Sequence, residues 1–170
     1  MSKSRSPFSA PKMLLAGAAM ALTGSLAFPM AAEAAGNCVA GQPSVVVHVA
    51  GFKQATGEVK LSLYGSDSSR WLVKRGRISK IKLPVTGKAM DVCIPVPSPG
   101  RYAVAVHHDF NDNGSRDRQD GGGYSRNPPV SLLNPKPAFS RAAFSVGNGP
   151  ARVGVTLLYI KGLSVGPAGS

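Results

Sequence analysis

Apolar side chains fall at every second position along most of this chain, and that period decides what it can fold into. Val45, Val47 and Val49 alternate with Val46, His48 and Ala50, and Val59, Leu61 and Leu63 alternate with Glu58, Lys60 and Ser62. Met90, Val92 and Ile94 repeat the pattern, as do Tyr102, Val104 and Val106, and later Phe144, Val146, Val153, Val155, Leu157 and Tyr159. Successive side chains of a strand point to opposite faces, so this spacing lays one face on a core and leaves the other toward water. Gly, Pro, Asn and Ser clusters separate the runs at hairpin-like intervals. The expectation is an all-β fold, an antiparallel two-sheet sandwich of six or seven strands with Tyr102, Val104 and Val106 inward. No helix of more than a few residues is expected between Pro43 and Val106.

The start of the chain obeys another logic. Lys3, Arg5 and Lys12 precede an apolar stretch from Met13 to Phe28, and Ala32-Glu33-Ala34 places small residues where a signal peptidase needs them. The apolar run is shorter than the roughly 20 residues of a spanning helix. Residues 1–34 therefore read as an export signal and residues 35–170 as one domain, not membrane-spanning after cleavage and bound for a periplasmic or extracellular space. Both cysteines, Cys38 and Cys93, survive that cleavage. In an oxidising compartment an isolated pair reads as one structural disulfide.

Charge narrows the partners. The chain carries 20 Lys/Arg against eight Asp/Glu. Three of the bases and one acid lie in the leader, which leaves a net +10 on the rest. Arg70, Lys74, Arg75, Arg77, Lys80, Lys82 and Lys88 share one segment without an acid. Such a segment attracts polyanions over about a Debye length. For an exported protein the partner would be an anionic polysaccharide or lipid surface, or another envelope component. Nucleic acid is not expected, because only Trp71 interrupts the basic run. The alternative is a solvated loop that keeps the protein soluble.

Between Asp109 and Asp120 the chain reads Asp-Phe-Asn-Asp-Asn-Gly-Ser-Arg-Asp-Arg-Gln-Asp. Asp109, Asn111, Asn113, Ser115, Asp117 and Asp120 occupy positions 1, 3, 5, 7, 9 and 12 of a calcium loop, with Gly114 at the required sixth position. All-oxygen donors favour Ca²⁺ over zinc. The competing reading is a polar loop whose Asn and Asp side chains bond their own backbone. Residues 109–138 show almost no strand pattern, and a loop that long is rare unless something pins it. Gly121-Gly122-Gly123 inside it reads as a flexible or positive-φ turn.

Pro99-Gly100-Arg101-Tyr102-Ala103, followed by His108-Asp109-Phe110-Asn111-Asp112-Asn113-Gly114 and Asp117, resembles the signature of the DUF2141 family of exported bacterial proteins. Gly57 to Tyr64, Gly123-Tyr124-Ser125 and Phe139-Ser140-Arg141-Ala142-Ala143-Phe144 extend the resemblance from about Pro43 to Tyr159. It implies an exported β-sandwich similar to transthyretin-like or carboxypeptidase-regulatory domains, and it implies no particular activity. Arg126 stands where that family tends to have Asn.

Catalysis has little footing in these residues. Beyond the leader the histidines are His48, His107 and His108, none in a Gly-x-Ser-x-Gly or His-Glu-x-x-His setting. His107 and His108, as strand neighbours, are expected to face opposite ways. A non-catalytic envelope binding module with a calcium-stiffened loop is the leading reading. Its alternatives are a structural sandwich without an ion, and a carbohydrate-active enzyme using Asp109, Asp117 or Asp120, which would need two carboxylates facing each other across a cleft.

Overall fold

A computed structural model describes residues 38–168, all within one compact unit. The expected export signal, residues 1–34, lies outside the described residues. Ten strands run in chain order: β1 Ser44–Ala50, β2 Glu58–Tyr64, β3 Arg77–Pro84, β4 Ala89–Pro95, β5 Gly100–Asp109, β6 Gly121–Tyr124, β7 Phe144–Val146, β8 Pro150–Thr156, β9 Leu158–Lys161 and β10 Ser164–Pro167. One sheet has the order β4-β1-β8, the other β10-β9-β6-β5-β2-β3, with β7 paired to the start of β5. Helical structure among the described residues amounts to 3-10 turns at Ser68–Arg70 and Lys74–Gly76 and one helical turn, α1, at Phe139–Ala142.

The alternation does what its period requires. Val45, Val47, Val49, Val59, Leu61, Leu63 and Val104 are fully buried, Tyr102 and Val106 nearly so, and all join one core cluster. Burying such a side chain stabilises by about 1.5–3 kcal/mol, so the facing β1, β2 and β5 stripes hold the two sheets together. The Tyr102 hydroxyl donates to the Ser98 carbonyl at 2.7 Å and locks the turn that opens β5. Cys38 and Cys93 are bonded, their Cα atoms 5.5 Å apart, which ties residue 38 to β4.

Three expectations need correction. The strands number ten because β3 lies within the basic segment, β9 is split from β8, and β6 and β10 are only four residues long, too short for a period to show. Pairing is not antiparallel throughout: β1 and β8 run parallel, Val47 opposite Val153. That pairing needs a long crossover, which the rest of the domain supplies. The loop expected over 109–138 is interrupted by β6, so Gly121-Gly122-Gly123 is extended strand and not a positive-φ turn. A Cβ on Gly121 would lie 2.6 Å from the Tyr159 ring, and one on Gly123 would lie 2.7 Å from the Thr156 carbonyl oxygen. Close packing demands the glycines here.

The basic segment is likewise not a loop. Its second half is β3, an edge strand whose Ile81 and Leu83 pack against the core while Lys80, Lys82 and Pro84 are exposed. Charges and proline on an edge discourage pairing with another chain.

Candidate functional site: a cationic cleft on the outer face of the larger sheet

The face of the larger sheet turned away from the core is where the chemistry collects. Register puts Lys82, Lys60, His107 and Gly122 on one rung across β3, β2, β5 and β6. The next rung holds Lys80, Ser62, Ala105 and Tyr124, and the third holds Arg77, Tyr64 and Ala103. Ser62, Ala105 and Gly122 are small, so a cleft of ≈400 Å³ opens above them. Its walls are Arg77, Lys80, Arg116, Lys136, Leu72 and the two tyrosines.

Aromatic packing builds one wall. The Trp71 ring meets Tyr64 edge-on at 5.0 Å between centroids and lies 5.9 Å from Tyr124 and 6.0 Å from Phe139. Its Nε1 donates to the Pro137 carbonyl at 2.8 Å, and the Tyr124 hydroxyl donates to that of Pro135 at 2.8 Å. These two bonds fasten the chain around Lys136 to the cleft. Burial raises the pKa of both Tyr64 and Tyr124, so both stay neutral phenols.

The cleft is strongly positive. Among the described residues, Arg77, Lys80, Arg116 and Lys136 belong to no ion pair. Burial, followed by repulsion from Arg77, Lys82 and Lys60, lowers the Lys80 pKa. Burial also lowers that of His107, outweighing its bond to Asp120, and Arg116 adds to the effect. Neutral His107 donates from Nε2 to Asp120 Oδ2 at 2.7 Å.

The structure divides the basic segment. Arg77 and Lys80 line the cleft, whereas Lys82 pairs with Glu58 at 3.0 Å. Arg70 donates to the Arg75 carbonyl, Arg77 Nε to that of Lys74, and Lys88 to that of Lys53. Lys60, Arg116, His107 and Lys136 are cleft residues that the run of basic residues did not reveal. For Lys60 and His107 the signal was the second, polar face of the β2 and β5 alternation, which becomes informative once the strands are in register; Arg116 and Lys136 lie outside any strand and had none.

The acidic loop borders the cleft. Lys60 Nζ lies 2.5 Å from Asp109 Oδ2 and 3.4 Å from Glu58. Asp109, with none of its side chain exposed, also accepts from the Asn113 and Gly114 N–H groups at 3.2 and 2.9 Å. Asp117 accepts from Asn111 Nδ2, Asn113 Nδ2 and the Gln119 N–H. Asp120 accepts from His107 and from the Phe110 and Asp117 N–H groups. Asn111 and Asn113 accept from backbone N–H groups two residues on, the bonding of Asx turns. In this arrangement the Lys60 ammonium bonds Asp109, and backbone and amide N–H groups bond the other loop oxygens. No group of three His, Cys, Asp or Glu suited to a metal occurs among the described residues. Of the loop carboxylates, Asp109 is sealed and Asp120 is 2% exposed, whereas Asp117 is half-buried.

His108 faces the opposite way from His107, as its strand position dictates. Its Nε2 donates to the Thr56 carbonyl at 2.8 Å and its Nδ1 accepts from the Tyr159 hydroxyl at 2.6 Å. That hydroxyl in turn accepts the Lys53 N–H, so these bonds fix the orientation of the His108 ring. At Arg126, the expected Asn is replaced by a guanidinium that donates to the Ala143 carbonyl. The neighbouring Asn127 Oδ1 accepts from the Thr156 N–H at 2.6 Å.

Fold and cleft together define a two-sheet β domain with a cationic groove on one outer face. A family model described as an uncharacterized protein conserved in bacteria, DUF2141, matches residues 47–153, and the chain belongs to that family. Neither the curated proteins nor the solved structures gave a match.

Proposed function

We propose that this protein is an exported, non-catalytic binding module of the bacterial cell envelope that holds an anionic ligand in the cleft above Ser62, Ala105 and Gly122. The observation that carries the proposal is the convergence of Arg77, Lys80, Arg116 and Lys136 on one cleft without an acidic partner. Like charges so gathered repel one another, and an arriving anion relieves that repulsion. Export rests on the leader-like residues 1–34, and a disulfide between Cys38 and Cys93 agrees with it.

Calcium at Asp109 is the competing account of the neighbouring loop. Lys60 weighs against it, because calcium would enter only by displacing a buried ammonium from its carboxylate. In this reading the loop is a support that carries Arg116 to the cleft.

The test is binding of anionic and neutral polysaccharides and lipid vesicles at low ionic strength, with Arg77→Ala/Lys80→Ala as the comparison. Anionic probes should bind, weaken steeply with added salt, and lose at least tenfold in the double variant. Equal binding of neutral probes would remove the proposal.

A further inference from the structure

A second hollow of ≈300 Å³ adjoins the cationic cleft, and the two share Arg116, Gly122, Tyr124 and Pro135. Its character is different. Val130, Leu132, Leu158, Ile160 and Val165 line it. Leu132 and Ile160 are 38% and 36% exposed, large apolar side chains left open on a surface otherwise rich in charge. Asp117 and Asp120 also border this hollow, yet their oxygens already accept from Asn111, Asn113, His107 and backbone N–H groups. The acids therefore do not set up a second charged site.

Resting on the binding reading above, we infer that the two hollows form one groove, and that its ligand is an anionic amphiphile with a phosphate-class head and an alkyl or prenyl tail. Charge complementarity places the head among Arg77, Lys80, Arg116 and Lys136. The apolar half then covers the tail, and Tyr124, common to both, packs at the junction. A soluble polysaccharide satisfies the first half only. It offers hydroxyl groups to Leu132 and Ile160, which cannot hydrogen-bond them. A concave surface lined largely by apolar side chains with a few polar groups at its edge suits the tail of such a ligand. Lying beside a cleft that already selects for negative charge, it specifies both ends of one molecule.

Trp71, the single tryptophan of the chain, packs edge-on against Tyr64 and tilted against Tyr124 and serves as a fluorescence reporter. The purified protein is titrated at low ionic strength with decyl phosphate below its micellar concentration, inorganic phosphate, decyl maltoside and polygalacturonate. Decyl phosphate should bind at least tenfold tighter than inorganic phosphate, and decyl maltoside should give no saturable signal in the same range. Leu132→Ser/Ile160→Ser should weaken decyl phosphate at least fivefold and leave inorganic phosphate unchanged, with an unaltered melting temperature. Arg77→Ala/Lys80→Ala should weaken both. The inference is overturned if the alkyl chain adds nothing, if the serine pair has no effect, or if decyl phosphate acts by unfolding the chain. Polygalacturonate binding more tightly than decyl phosphate would also overturn it, and would leave the anion-binding reading standing with a polysaccharide as ligand. Failure of every anionic probe removes both.

Discussion

Lys60 has 8% of its side chain exposed and two carboxylates within 3.4 Å, one of them, on Asp109, wholly buried. Removing one member of a buried pair leaves the other charge without a partner, which costs about 3–5 kcal/mol. Lys60→Met should lower unfolding stability in urea by that amount, and Lys60→Met/Asp109→Leu should recover most of it. The titration has a defined sign. The Asp109 bond raises the pKa of Lys60 despite burial. Burial acts to raise the Asp109 pKa, but Lys60 and the Gly114 and Asn113 N–H groups outweigh it and lower it. Asp109 therefore adds stability above the ordinary carboxylate range, lost as pH falls through its depressed pKa. Lys60 adds stability below the ordinary amine value, lost as pH rises through its raised pKa. The pair should give a plateau from about pH 5 to 9 that the double variant flattens. Calcium offers a contrasting readout. An ion bound with a Kd of about 10⁻⁴ M would add about 1.4 kcal/mol at 1 mM, and with Lys60 in place the melting temperature should move far less.

At the scale of elements, β6 carries the cleft floor on a strand of glycines. Its three glycines are not equivalent: Cβ positions at Gly121 and Gly123 collide with Tyr159 and Thr156, whereas at Gly122 the nearest atom is Arg116 Nη1 at 3.4 Å. Gly121→Ala should destabilise by about 1–3 kcal/mol through overpacking. Gly122→Ala should stay within about 0.5 kcal/mol of the parent, since a guanidinium end moves aside, but should weaken anion binding by narrowing the floor. Thermal unfolding and the phosphate titration separate the two effects. Ser125 shows how β6 is anchored: fully buried, it donates to the Ala142 carbonyl at 2.6 Å and accepts the Val104 N–H at 2.9 Å. One hydroxyl thus links α1 to β5. Four residues without a side-chain period offered no strand signal, and only the rings packed against them explain why glycine stands there.

Across the whole molecule, the disulfide joins residues 55 apart and ties the chain ahead of β1 to β4, the partner of β1. Chain-entropy reasoning assigns such a loop about 4 kcal/mol. Reduction should lower stability in urea by up to that amount while leaving the two sheets assembled, because the core cluster does not depend on the bridge. Near-ultraviolet circular dichroism with and without reductant checks it. The two-sheet β architecture, the inward Tyr102, Val104 and Val106 and the opposed faces of His107 and His108 were all legible from a period of two, since alternation is a property of neighbouring residues. The calcium-loop spacing was legible too, but spacing along a chain does not say which cation meets the oxygens. Lys60, 49 positions before Asp109, meets the Asp109 carboxylate because β2 and β5 pair in one register. Likewise Arg77, Lys80, Arg116 and Lys136 come from three separate segments, and no local pattern links them. Local chemistry determined the strands and their buried faces. The cleft, the parallel β1–β8 pairing and the partner of Asp109 were decided by long-range pairing, whose outcome depends on the packing of all strands at once.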